Sequence, residues 1–132
     1  VWGSKRTGPD LAREGTGDLK KSDGWHFRHF REPSSMSEGS IMPSYPFLME
    51  QVIDTSSTAA KINAMRKLGV PYDKGYEKYA NEELMQQANG IRINLKVEGI
   101  QIPADREVIA LIAYMQRLGK DISKNKTATL NK

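Results

Sequence analysis

Two histidines three residues apart, His26 and His29, are the side chains whose type and spacing most readily suggest chemistry. On a helix they share one face and could hold a metal, but no carboxylate or cysteine accompanies them at a recognisable ligand spacing. The other candidates are short and ordinary when taken singly. Gly8-Pro9-Asp10-Leu11 forms a turn, Met42-Pro43 stands in a loop, and an apolar stripe runs along the last strongly periodic segment. There is no cysteine, which excludes disulfides, thiolate metal sites, Cys nucleophiles and thioether attachment of a haem within these residues. Neither a nucleophile and base constellation nor a glycine loop for phosphate is present, so a hydrolase or transferase is not indicated.

The 132 residues, 38% hydrophobic, suffice for one modest core. The net charge is +4, of which residues 120 to 132 carry +3, with four lysines against Asp121. The body is therefore nearly neutral and its cationic excess sits in a tail, unlike the basic face of a nucleic-acid-binding domain. The longest apolar run, Val108 to Met115, is far below the ~20 residues of a membrane span. A soluble domain is expected. No signal peptide follows Val1, and any anchor or export signal is expected upstream.

The elements that must position these residues read as helices. Residues 1 to 22, with turns at Thr7-Gly8-Pro9-Asp10 and Glu14 to Asp18, form a loop. Ser22 caps a short helix to about Arg31, stopped by Pro33. Glu32 to Pro46 is a second loop holding Met36, Met42 and Tyr45. A capping residue among Asp54 to Ser57 starts a helix with Ala59, Ile62, Met65 and Leu68 on one face and Gly69 as its stop. A longer helix is predicted from about Lys74 to Gly99, with Tyr76, Tyr79, Leu84, Ala88, Ile91 and Leu95 recurring every three or four residues. Within it Ile91 to Val97 alternates like a strand, yet nothing could pair with it. The last helix is capped by Asp105, carries the stripe Val108, Leu111, Ile112, Met115 and Leu118, and ends at Gly119-Lys120. The fold class is all-α, with a domain over 1–119 and a polar tail over 120–132.

Order and spacing add what single motifs lack. A Gly-Pro-Asp-Leu turn, a loop Met before a Pro, and a terminal helix reading Glu-Val-Ile-Ala-Leu-Ile-Ala-Tyr-Met-Gln-Arg-Leu-Gly resemble the post-haem part of a class I cytochrome c. Ser4 to Arg13, Trp25-His26 with His29, Met42 to Leu48, Thr58 to Lys61 and Leu68 to Tyr72 resemble more closely the mono-haem cytochrome c subunit of cbb3-type oxidases. The likeness spans about Trp2 to Asp121. It implies that Met42 is an axial ligand of haem c, with Met36 the runner-up, because a neutral thioether favours ferrous iron and raises the potential. It implies that the Pro9 carbonyl receives the Nδ1 proton of the other axial histidine, and that Trp25 and Tyr45 shield the haem edge.

The same resemblance places a Cys-x-x-Cys-His motif, its helix and a membrane anchor before residue 1, so the domain is expected to be an incomplete cytochrome fold. Haem c is then expected in the full-length protein and none in this chain alone. The implied role is a non-catalytic electron-transfer subunit on the periplasmic side of a bacterial inner membrane. Its partners would be cytochrome c donors, the haem-copper subunit and other cytochrome c subunits. A haem-free helical scaffold module is the rival. Burying the five residues of the last stripe is worth roughly 7 to 15 kcal/mol, so self-association through residues 105–118, or repacking onto the helices between Asp54 and Gly99, is expected to cover it.

Overall fold

The computed structural model describes residues 8–120. The expected tail after Asp121, and the parts of the first motif before Gly8, lie outside the described residues. Six α-helices and no strand are found among the described residues: α1 (Asp23–Arg31), α2 (Pro33–Met36), α3 (Phe47–Glu50), α4 (Thr58–Lys67), α5 (Ala80–Val97) and α6 (Glu107–Arg117). The all-α expectation holds, and Ile91 to Val97 is helix.

α1 begins as its sequence requires. The Ser22 hydroxyl accepts the Trp25 N–H at 3.1 Å, and Pro33 ends the helix by opening α2 at its first turn. A second anion reaches the same N-terminus from far along the chain. The Glu98 carboxylate accepts the Gly24 N–H at 3.1 Å and the Ser22 hydroxyl at 3.3 Å, while the Arg28 guanidinium donates to it at 3.4 Å. Glu98 thus fastens α1 to the end of α5 through the positive end of the helix dipole.

Gly99 ends α5 as expected, in a conformation that suits a residue without Cβ, φ +79°. Its N–H donates to the Lys96 carbonyl at 3.1 Å, and the Ile100 N–H donates to the Leu95 carbonyl at 2.9 Å. Both bonds together make a Schellman ending. α4 closes in the same way, with Gly69 bonded to Arg66 and Val70 to Met65, each at 3.1 Å.

Five local expectations need correction. The expected loop over Glu32 to Pro46 holds α2, which Pro33 opens. α5 starts at Ala80 and not near Lys74. Tyr76 and Tyr79 keep helical spacing, but they belong to a 3₁₀ turn and its flank, where Tyr72 stacks on Tyr76 at 5.4 Å and the Tyr76 hydroxyl donates to Glu83 at 2.7 Å. Among the expected stripe of α4 only Ile62 is buried; Met65 and Leu68 are exposed. No side chain among Asp54 to Ser57 caps that helix, since Asp54 turns instead to the Ser56 N–H at 2.9 Å. Asp105 does not cap α6 either. The Glu107 N–H is satisfied by the Gln51 carbonyl at 3.0 Å, and the Asp105 carbonyl accepts the Ile53 N–H at 2.9 Å, so backbone from the segment after α3 does the work of the cap.

The core joins α1, α5 and α6: Phe27 and Phe30, Ala88, Ile91 and Leu95, Val108, Ile109, Ile112 and Met115. The α6 stripe is covered within the chain by α5, which lies in the expected stretch, and also by α1 and α3, which precede Asp54 and lie outside that expectation. Val108, Ile112 and Met115 are buried, Leu111 and Leu118 half-buried, and Ile109 joins them. Met42, Leu48 and Met49 lean on this core from the segment around α3.

Candidate functional site

Met42 lies in the extended segment between α2 and α3, half-buried against the core. Its own N–H donates to the Ser40 hydroxyl at 3.3 Å, and three residues on the Tyr45 N–H donates to the Phe30 carbonyl at 2.8 Å. That second bond ties the loop to the C-terminal end of α1. Pro43 and Pro46 flank it and restrict φ, so few backbone conformations compete with the one that holds the thioether inward. Tyr45 is half-buried and meets Phe47 edge-on at 6.1 Å. Met36, at the end of α2, is half-buried.

Trp25 is half-buried and packs on the two histidines of its own helix. It stacks on His29 at 4.6 Å and meets His26 edge-on at 5.3 Å, with the Lys21 ammonium 5.7 Å from its ring centre. Pro9 is exposed, on a segment whose Asp10 carboxylate accepts the Ala12 N–H at 3.0 Å. The Gly15 N–H donates to the Leu118 carbonyl at 3.0 Å. Pro9 therefore belongs to the segment fastened at the end of α6, Met42 to the one fastened at the end of α1.

The inner face of α1 is polar at its start. Asp23, 4% exposed, accepts from the Asn94 amide at 2.9 Å through one carboxylate oxygen, while the other is buried without a partner. His26 is 1% exposed, and its Nδ1 and that of His29 are likewise unpartnered. Sequence reasoning noticed the histidines but missed Asp23 and Asn94, whose pairing across 71 residues leaves no local signal. Among the described residues no three His, Asp or Glu side chains converge into a metal site.

Burial pushes the His26 pKa below its ordinary value, opposed by the Glu14 and Asp23 carboxylates and reinforced by His29 and Lys21. His29 is lowered too, by burial against the pull of Glu14. The unfolded chain takes up protons near pH 6.5 that the fold refuses, so stability is complete above that value and falls as pH drops through and below it. Thermal unfolding between pH 8 and pH 5 should show a falling midpoint, and His26→Leu should flatten that slope. An unchanged slope would rule out His26 as its source.

Comparison with known families decides the assignment. The profile described as "Cytochrome C oxidase, mono-heme subunit/FixO" covers residues 1–122. The chain belongs to that family. No curated protein gives a match. The FixO family is the mono-haem subunit of the cbb3-type cytochrome c oxidase, the family that the sequence resembles. No helix among the described residues is long and apolar enough to cross a membrane.

A c-type haem takes two axial donors and thioether bonds to a Cys-x-x-Cys-His motif. A soft thioether on a pinned loop, against an apolar core, fits one axial position. Nothing in the 132 residues supplies thioether attachment, because cysteine is absent. Four surface clefts of about 420, 200, 670 and 490 Å³ include neither Met42, Trp25, Tyr45 nor Pro9 in their walls. Met42 is thus a donor of the right type for haem iron, while none of these four clefts opens on it.

Proposed function

We propose that the full-length protein is an electron-transfer subunit, carrying one haem c and passing electrons from cytochrome c donors to the oxygen-reducing haem-copper subunit on the periplasmic side of the membrane. Membership of the FixO family carries this reading. Bound haem supplies one-electron redox chemistry; the protein positions it and sets its potential. Met42 would be the residue that holds the haem iron, and the bond from Tyr45 to Phe30 keeps its loop in place. Trp25 and Tyr45 would shield the haem from water, which favours the less charged ferrous state. The Pro9 carbonyl would accept the Nδ1 proton of a histidine that holds the haem.

The test is the protein expressed with its upstream residues and with haem maturation. The ferric spectrum should carry the signature of Met ligation, lost in Met42→Ala and kept in Met36→Ala, with a fall in reduction potential in the first variant alone. A Met-ligated spectrum in Met42→Ala would refute the ligand assignment. Failure to incorporate haem at all in the wild type would favour a haem-free scaffold of the oxidase instead.

A further inference from the structure

Along its exposed side α5 carries two neighbouring rows, each spaced by one helical turn. Arg92 and Lys96 form a cationic row; Ile93, 56% exposed, and Val97, 84% exposed, form an aliphatic one. Among the described residues no carboxylate stands within ion-pair distance of either cation. Beside the cationic row lies an open cleft of about 420 Å³, walled by Arg92, Lys96, Ile100, Gln101, Ile102 and Pro103. None of these residues is acidic, and Ile100 and Ile102 are half-buried on its apolar side.

We infer that this end of α5 is a seat for an anionic phospholipid at a bilayer surface, the phosphate held by Arg92 and Lys96 and the start of the acyl chains met by Ile93 and Val97. Two cations a turn apart, with their alkyl stems lying beside aliphatic side chains, match a headgroup above and a hydrocarbon boundary below. Composition favours lipid over an acidic protein. Cores of protein interfaces are rich in aromatic side chains and Met and poor in Lys, whereas here the apolar row is Ile and Val with Lys next to it. The family is a subunit of a membrane complex, so a bilayer surface is close at hand. The inference does not depend on haem binding or on Met42.

The experiment is co-sedimentation of the 132-residue chain with vesicles of phosphatidylcholine alone or mixed with phosphatidylglycerol. Binding should need phosphatidylglycerol and weaken with salt. Each neutralised charge should cost about fivefold in affinity, so Arg92→Gln with Lys96→Gln should lower it by more than tenfold. Ile93→Ser with Val97→Ser should remove the binding that survives high salt. All four side chains are exposed, so circular dichroism and melting should be unchanged. Lys61→Gln with Lys67→Gln, an equal charge change on exposed positions of α4, should have a smaller effect. An equal loss in that control, or no effect of the aliphatic pair, would reduce the seat to general charge attraction and overturn it. So would absence of vesicle binding combined with weakened assembly of the Arg92/Lys96 variant with the other oxidase subunits, which would assign the surface to an acidic protein.

Discussion

Ile112→Ala lowers the stability of the chain by roughly 2 to 5 kcal/mol, enough to unfold a marginal domain at room temperature. Ile112 is fully buried in the middle of α6, in the cluster that joins this helix to α1 and α5. Truncation removes apolar transfer energy and leaves a cavity walled by three helices that cannot all close on it. Urea unfolding followed by far-ultraviolet circular dichroism measures this as a lower midpoint with an unchanged slope. Tyr114→Ala on the same helix is the comparison, because Tyr114 is 60% exposed and should change stability by about 0.5 kcal/mol or less. Similar losses in both variants would mean that α6 does not pack as described.

Gly15→Ala is the second large effect, and it acts through backbone. Gly15 is buried against the last turn of α6, and a Cβ there would run into the Gln116 carbonyl group and lie 2.9 Å from the Leu118 oxygen. A backbone carbonyl in a helix cannot swing aside, so the 11–16 segment must lift and give up the bond from Gly15 to Leu118. Overpacking of this kind costs about 1 to 3 kcal/mol. Gly90→Ala should do the opposite. Gly90 lies inside α5 with nothing within 4 Å of an added Cβ, and the better helix former gains up to about 1 kcal/mol. Thermal melts of the two variants should move in opposite directions; a shift of the same sign would contradict the close contact at Gly15.

What could be read in the sequence follows the range of the forces involved. Ser22, Gly69 and Gly99 announced helix ends because capping and Schellman bonds span only a few residues. The pattern of Ala88, Ile91 and Leu95 announced α5 because burial at period 3.6 repeats along one element. The start of α5 was illegible, since tyrosines that stack on one another keep the same spacing as tyrosines on a helix. The capping of α6 was misread because its acceptor is the backbone of Gln51, 56 residues before Glu107. Ile109 was missed because α6 is covered on more sides than a single stripe implies: α1, α3 and α5 all touch it. At the site, Met42 and Trp25 stood out through the family resemblance, since neither is distinctive alone, and the structure adds what tethers one and stacks on the other. The partnership of Asp23 with Asn94 and of Glu98 with α1 came only from the fold.

The clamp on Glu98 also sets an order of assembly. α5 and α6 are joined by residues 98–106, whereas Arg28 meets Glu98 across 70 residues. Loop-closure entropy grows with the logarithm of length, so docking α1 costs about 2 kcal/mol more than pairing α5 with α6. By this term the α5–α6 pair forms before α1 docks on it, and α1 can open from it locally. Because Tyr45 is bonded to Phe30, the Met42 loop departs with α1. Undocking also wets His26, whose protonation then opposes its return. Acid should therefore favour opening of α1 together with the loop that carries Met42.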